Sequence, residues 1–548
     1  MRAAMTSTNG NGGGATSTLR DPELDRARLR AVHDALTAGD IATAGKLAED
    51  ALSDGIDHAM VLNLVAGRRE EQERLDEALE LLRRALAAAP EAIGVMNAIG
   101  LVLSRLGRFD EAVAAFDEAL AKAADFAPAL ANRAGAQLAL ARIDAARADY
   151  EAAAVRDPAN LVAANGLAAL ALGRGDLAEA RRLAAAVLAR EPGYPEAVAV
   201  MAEADLAEGQ AAAAEGAVAG LLGDPRLAAA DRALALTLRG DALDALGRFP
   251  EAFAAWSESN ALQQAQYAAA YGERPGTLTL VRDLTDALAG RRIPAAWGHG
   301  GRSPAKRHVF LLGFPRSGAT LLEQALAGHP EVVALAEREC LLDATRHWLG
   351  DAASLASFCA AQDEALEPWR ERYWRRVRAE GIAPDGRVFV DKHMFNIFKL
   401  PLIARLFPDA RVMVMQRDPR DAVLSSFRHR FPMSAPAWQL LTLDGAADLY
   451  AATMALAEAS ETAFGLFTHA VRLEALLADF DGETKAVCDF IGLPWDARLQ
   501  DFAAGVRQRG TVTGSGPRLA QGLDEGSVGK WRAYAEELAP LAERLGAA

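Results

Sequence analysis

The sequence predicts an α-solenoid followed by an α/β domain with a parallel sheet around a P-loop-like turn. Three observations carry that expectation. A hexamer recurs every 34 residues through the first half. The second half holds apolar β-type runs that each lead into a loop and an amphipathic helix. The composition is Ala-rich and only 6% aromatic, which reads as helical.

Taken in order, the first stretch is "MRAAMTSTNGNGGGATSTLRD". Its Gly, Ser, Thr and Asn predict a disordered tail over residues 1–24. It lacks the apolar segment of a signal peptide, and no run of 18 apolar residues predicts a membrane span. The array comes next, over residues 25–265. "GDIATA" begins at Gly39, "ERLDEA" at Glu73, "GRFDEA" at Gly107, "ARIDAA" at Ala141, "GDLAEA" at Gly175 and "GQAAAA" at Gly209. A seventh, "GRFPEA", follows at Gly247 after 38 residues. Each hexamer ends in Ala, from Ala44 to Ala252, and Pro90, Pro158 and Pro192 share one phase. This spacing predicts a helix, a tight turn at the Gly, and a second helix opening in the hexamer. The small Ala lets paired helices approach, and Pro ends the second helix. The pattern resembles the tetratricopeptide repeat, which implies a concave face that holds a peptide or protein. A helical end and a Gly-, Pro- and Arg-rich linker, "GRRIPAAWGHGGRSPAKR", fill residues 266–304, and the second domain occupies 305–548.

Net charge is -15, which excludes a general nucleic-acid or anionic-membrane binder. Residues 301–432 nevertheless hold 20 Lys/Arg against 16 Asp/Glu, a local excess that favours an anion site. Cys340, Cys359 and Cys488 form no C-x-x-C pair, so neither a zinc site nor a disulfide framework is expected, and a reducing, cytoplasmic setting fits.

The anion site is expected at "HVFLLGFPRSGAT". The glycines and final Thr fit a phosphate loop, G-x-x-x-x-G-K-[ST], but Ala319 stands where lysine should and Arg316 lies three residues upstream. Loop amides at a helix N-terminus would face an anion, with charge from Arg316 and hydroxyls from Ser317 and Thr320. A second βα unit places Asp391 and Lys392 at the end of a strand, Val388 to Val390. A third strand, Arg411 to Gln416, ends in Arg417, Asp418, Arg420 and Asp421. Arg417 and Ser425 are eight apart and could share one phosphate. An ordinary βα turn and a solvated charge run are the plain alternatives.

These residues together resemble the sulfotransferases that use PAPS (3′-phosphoadenylyl sulfate), over about residues 305–540. "GFPRSGATLLEQAL" is similar to their 5′-phosphosulfate loop, "QRDPRDAVLSSF" to their 3′-phosphate motif, and "DKHMFN" to the element between. "SVGKWRAY" resembles their C-terminal cofactor loop. Repeats fused ahead of such a domain resemble a bacterial arrangement. The resemblance implies transfer of a sulfuryl group from PAPS to a hydroxyl acceptor, without a metal. It implies cofactor contacts from Pro315, Arg316, Ser317, Gly318, Ala319, Thr320, Arg417, Ser425, Ser527 and Lys530. Catalytic roles fall to Arg316, to Lys392 at the bridging oxygen, and to Glu337 as the base of tyrosylprotein-type enzymes. Glu339 is the neighbouring candidate, and a helix cap or surface ion pair is the alternative for Glu337. His329 and His393 are expected to be structural. Ala319 replaces the family's usual Thr, and Met394 its usual Pro. Two other classes stay open: a non-catalytic scaffold with a nucleotide-binding pseudo-sulfotransferase domain, and an NTP kinase, against which the missing lysine argues.

Overall fold

The computed structural model describes residues 22–72, 74–272, 276–293, 303–511 and 516–546. Most of the expected tail, Glu73 and much of the expected linker lie outside these residues. The chain divides into two compact units, Met1–Ala124 and Asp125–Ala548.

The first unit holds three helix pairs. These are α1 (Pro22–Thr37) with α2 (Ile41–Ser53), α3 (Ala59–Glu71) with α4 (Leu75–Ala88), and α5 (Ile93–Arg105) with α6 (Phe109–Lys122). The second unit continues the array with α7 (Ala127–Ala139), α8 (Ile143–Arg156), α9 (Leu161–Gly173), α10 (Leu177–Leu188), α11 (Pro195–Ala207) and α12 (Ala211–Leu222). It ends with α13 (Ala229–Ala245), α14 (Phe249–Tyr271) and α15 (Thr277–Leu288).

Every hexamer does what its spacing predicts. The second helix of each pair starts two residues into it, at Ile41, Leu75, Phe109, Ile143, Leu177, Ala211 and Phe249. Gly39, Gly107, Gly175, Gly209 and Gly247 take positive φ in the turn. Ala141 replaces glycine in that series and is still forced to φ 58°, a conformation that disfavours a Cβ. The hexamer-final alanines Ala44, Ala78, Ala112, Ala146, Ala180, Ala214 and Ala252 are all fully buried. A second complementarity sets large against small. A Cβ on Gly100 would lie 2.4 Å from the Phe116 ring, on Gly166 2.3 Å from Tyr150, and on Gly240 2.3 Å from Trp256.

The sheet domain follows. β1 (Arg307–Gly313), β2 (Val332–Ala334), β3 (Val388–Lys392), β4 (Arg411–Gln416) and β5 (Thr468–Arg472) form one all-parallel sheet in the order β2-β3-β1-β4-β5. α16 (Ala319–Leu326) links β1 to β2. α17 (Leu342–Trp348), α18 (Ala352–Ala360) and α19 (Asp363–Ala379) precede β3, and α20 (Leu400–Leu406) links β3 to β4. α21 (Pro419–Phe427), α22 (Ala435–Gln439) and α23 (Leu443–Phe464) link β4 to β5. Alternate residues of the central strands serve two cores, as a doubly covered parallel sheet requires. Val309 and Leu311 face one with Val390 and Met413. Phe310 and Leu312 face the other with Phe389 and Val412.

That second core does not stop at the sheet domain. Leu243, Ala252 and Trp256 of the last helix pair, and Val281, Leu284 and Leu288 of α15, belong to it. The turns of the preceding pairs also meet the sheet domain along one edge. Arg142 makes a bidentate pair with Glu380, at 2.6 and 2.9 Å. Arg338 donates to the Ala141 carbonyl at 3.3 Å, and the Thr511 amide to Gly173 at 3.3 Å. Gln521 donates to Ala207 at 3.0 Å.

Gly240→Ala tests the large-against-small rule. Trp256 is fully buried and wedged against Tyr534, with ring centroids 5.5 Å apart, so it has no room to yield. Replacing Gly by Ala gains about 1 kcal/mol of helix propensity. Overpacking costs about 1–3 kcal/mol. We expect a net loss in urea unfolding, reduced when Trp256→Leu is added to the same chain.

Candidate functional site: an anion-binding turn beside buried lysine–carboxylate pairs

Parallel strands offer ligands their carboxyl ends. The ends of β1, β3 and β4 are Gly313, Lys392 and Gln416, and the expected site residues gather there. The loop after β1 departs from ordinary backbone at two residues, Arg316 (φ 68°) and Gly318 (φ 96°). Gly318 is the N-cap of α16, so Ala319 and Thr320 form its first turn, where backbone amides lack helical partners. A Cβ on Gly318 would come 2.6 Å from Leu473, which explains the glycine independently of its φ. Ser317 donates to the Phe314 carbonyl and closes the loop on itself. Ser426 donates to the Pro315 carbonyl at 3.2 Å, and Arg417 Nη1 to the Arg316 carbonyl at 2.8 Å.

The two expected phosphate motifs meet directly. Arg316 Nε donates to Ser425 Oγ at 3.3 Å. Arg417 reaches on with Nη2 to the Ser527 carbonyl at 2.6 Å, so the C-terminal segment joins the same group. Ser527 Oγ itself donates to Asp524 O at 2.9 Å. Lys530 is placed differently: its Nζ donates to Asp244 of α13 at 2.9 Å.

Cations crowd this turn. Burial first, then the like charges of Arg417, Arg428 and Arg518, bring Arg316 down to about 10. Burial also lowers Arg417, with Arg428 acting the same way and Asp421 and Glu474 against it. Burial, with Arg316 and Arg428 beside it, drives His429 well below the ordinary histidine range, so it is neutral.

Next to the turn lies a second group built on Lys392, whose side chain is 2% exposed. Its Nζ donates to Glu337 and, at 3.1 Å, to Thr320 Oγ1, and sits 3.7 Å from Glu323 Oε2. Glu337 also accepts the Met394 amide at 3.0 Å. Burial works to raise Glu337, but Lys392, His393 and these bonds outweigh it and hold the carboxyl below its usual range. Glu337 is thus neither a helix cap nor a surface pair; it is 13% exposed and bonded to the expected catalytic lysine. Glu339 makes a parallel arrangement, accepting from Lys399 and from the Leu341 amide at 2.9 Å.

A chain of hydrogen-bonded buried groups backs both pairs and ends at His308, whose Nδ1 has no partner among the described residues. Lys399 donates to Asn396 Oδ1 at 3.0 Å, Asn396 to Asp391 Oδ1 at 3.0 Å, and Tyr373 Oη to Asp391 Oδ2 at 2.6 Å. Tyr373 has then used its proton, so His308 Nε2, 3.0 Å away, is the donor to it. Burial keeps His308 neutral, down to about 3. Burial pushes Asp391 up to about 7; the Tyr373 bond opposes the rise and Glu339 adds to it. His329 spans Pro494 O and the Glu331 amide, 3.0 and 3.1 Å, and acts as a local brace.

Glu323, Lys399, Arg428 and Arg518 stand outside the expected set. Glu323 lies within one matched stretch, three positions after Thr320, and Arg428 just after another, three positions after Ser425, so helical phase was the available signal. Arg518 follows a Gly- and Ser-rich stretch with no motif. Among the described residues, no His, Cys, Asp and Glu group could hold a metal ion, and no helix is long and apolar enough to cross a membrane. A surface pocket lined by Pro304, Glu367, Arg370 and Trp374 opens at the other end of the sheet, where β1 begins.

Residues 308–497 match the family described as Sulfotransferase family, and residues 93–121 match the tetratricopeptide repeat. The chain is 26% identical over 253 residues to an uncharacterized protein of Aquifex aeolicus (strain VF5), covering 44% of this chain and 32% of that protein. It is 46% identical over 96 residues to Protein FlbA of Caulobacter vibrioides, covering 18% of this chain and 16% of that protein. The chain therefore spans no more than 32% of the length of these curated relatives. Among solved structures, it resembles the sulfotransferase domain of the Synechococcus PCC 7002 olefin synthase (19% identity, TM-score 0.29, 45% of this chain and 98% of that chain). It also resembles a tetratricopeptide repeat protein of Parabacteroides merdae (17% identity, TM-score 0.35, 46% of this chain and 95% of that chain).

The Lys392–Glu337 pair yields a sharp expectation. Removing one partner of a buried pair leaves a charge uncompensated and costs about 3–5 kcal/mol. Lys392→Met and Glu337→Gln should each be that costly in urea unfolding. The double variant should cost less than the sum, with a coupling of about 2–3 kcal/mol. Strict additivity would mean that the pair is not formed in solution.

Proposed function

We propose that this chain, which joins tetratricopeptide repeats to a sulfotransferase-family domain, transfers the sulfuryl group of PAPS to a hydroxyl acceptor. The observation that carries this reading is the crowding of Arg316, Arg417, Arg428 and Arg518 on a P-loop-like turn that lacks the lysine of NTP-binding loops. Like charges that repel one another in the free protein are stabilised by a ligand bearing several negative charges. That is the fit expected of a nucleotide with phosphates at both the 5′ and 3′ positions. PAPS supplies the activated sulfuryl group; the chain's residues bind, orient and handle the proton.

In this reading the amides of Gly318, Ala319 and Thr320 and the Arg316 guanidinium hold the phosphosulfate, with Pro315 and Ser317 shaping the loop. Arg417 and Ser425 hold the 3′-phosphate, and Ser527 and Lys530 stand at its open side. Glu337 takes the acceptor's proton. Lys392, already between Thr320 and Glu337, stabilises charge at the bridging oxygen. A lysine that turns from Glu337 toward the ligand also releases the carboxylate from the partner that lowers its basicity. The repeats bind a peptide or protein, either the acceptor or a recruiting partner. Three cysteines without disulfides fit a reducing cytoplasm.

Nucleotide preference tests the reading. Adenosine 3′,5′-bisphosphate should raise the thermal midpoint more than ATP with Mg²⁺, since ATP offers Arg417 and Ser425 no 3′-phosphate. Equal stabilisation would overturn the assignment. Roles within the site separate by kinetics. Glu337→Gln should leave bisphosphate affinity nearly unchanged and lower turnover by roughly 10²–10⁴-fold. Arg316→Ala should weaken bisphosphate binding as well as slow transfer. Full turnover by Glu337→Gln would move the base to Glu339.

A further inference from the structure

The nucleotide site, as read above, borrows a residue from the repeat array. Asp244 lies near the end of α13, in the last helix pair, and its side chain is 5% exposed. It accepts Tyr534 Oη at 2.7 Å on one oxygen. The other oxygen accepts Lys530 Nζ at 2.9 Å and Arg428 Nη1 at 3.1 Å. Arg428 is also paired to Asp241, one turn earlier, at 3.1 Å and stacks on Trp256 at 4.7 Å. Burial works against the charge on Asp244, and Arg428 and Lys530 more than offset it, so the carboxylate stays ionised.

Two of the partners of Asp244, Lys530 and Tyr534, belong to the C-terminal segment that reaches the anion turn. Within that segment the Gly529 and Trp531 amides donate to Asp421 of α21, at 2.6 and 2.9 Å. Its Ser527 carbonyl receives Arg417. The segment is therefore slung between two carboxylates, one at the turn and one in the array. Lys530 and Tyr534 form the array end of the sling, and Ser527, whose carbonyl receives Arg417, lies three residues before Lys530 on the same segment.

We propose that Asp244 is a positioning residue for the 3′-phosphate end of the nucleotide site, so that the repeat array completes that site. The assignment rests on the sulfuryl-transfer reading. It predicts selectivity that a general packing role lacks. Asp421 and the loop amides at the 5′ end are untouched when Asp244 loses its charge, and Arg428 keeps Asp241. The loosened element is the Ser527–Arg417 contact.

The test uses the full chain and calorimetric binding of two ligands, adenosine 3′,5′-bisphosphate and adenosine 5′-phosphosulfate, which lacks the 3′-phosphate. Asp244→Asn should weaken the bisphosphate by about tenfold and change the 5′-phosphosulfate by less than about twofold. Tyr534→Phe keeps the ring and both charges, and removes one bond to Asp244. It should weaken the bisphosphate by about threefold, in the same selective way. Tyr534→Phe decides the matter if Asp244→Asn does not fold. Equal loss for both ligands, or no loss for either, overturns the assignment while leaving the wild-type site intact. If the wild-type chain binds no bisphosphate, the reading of the site falls and this assignment with it.

Discussion

Like charges are held together at the head of β1, and much of the surrounding structure is what makes that tolerable. Arg316, Arg417, Arg428 and Arg518 would separate in a flexible chain. Here each meets a different element, the exposed Arg518 lying 3.9 Å from Asp524. Arg316 is held by Ser425 of α21, Arg417 by two carbonyls, and Arg428 by a pair of aspartates from α13. The carbonyls bring only partial charge, so they orient Arg417 without neutralising it. Arg428 is the exception, because its two carboxylates do neutralise it. Arg316 and Arg417 stand beside the first turn of α16, and burial, then like charge, lowers both.

The neighbouring lysines obey the opposite rule. Lys392 and Lys399 are each matched with a carboxylate, and the polar atoms behind them are bonded through to His308. A buried network of this kind is tolerable when nearly all its members are satisfied, and here, among the described residues, the exception is His308 Nδ1 at its far end. The outcome is a hydrogen-bonded wall beside a turn crowded with cations. A wall that holds Lys392 against Thr320 fixes the lysine relative to the first turn of α16, and so relative to any anion on that turn. Lysines paired to carboxylates thus stand beside arginines that crowd one another.

The repeat half was legible because its signal is local. A 34-residue period, a buried Ala and a turn Gly can all be read within one unit, and the structure follows them to the residue at which each second helix starts. Ala141 shows why the period outweighs the residue: packing on both sides imposes the left-handed turn although the glycine is missing. In the sheet domain Arg411–Gln416 falls as expected, while β3 runs to Lys392, two residues past the expected Val390. The pairing of Glu337 with Lys392 was not legible. Nothing in a sequence says whether two residues that share a site touch each other, and 55 positions separate these two. Lys530 illustrates the same limit more strongly, since its partner Asp244 lies 286 positions away in a region that reads as pure repeat.

That last contact bears on what a domain is in this chain. Sequence pattern separates helices of the array from the sheet domain near a linker, because pattern changes there. Cohesion is distributed otherwise. Trp256 packs on Tyr534, α15 buries Val281 and Leu284 in the core under β1, and turn after turn of the array donates or accepts a bond along one edge. The compact division falls at Ala124–Asp125, inside the periodic region. A repeat array is suited to such a split, since each pair depends chiefly on its neighbours and the break can fall between any two. The same period therefore serves two ends: the first three pairs stand as a unit of their own, and the later pairs are part of the framework that holds Arg428 and the C-terminal segment at the anion turn.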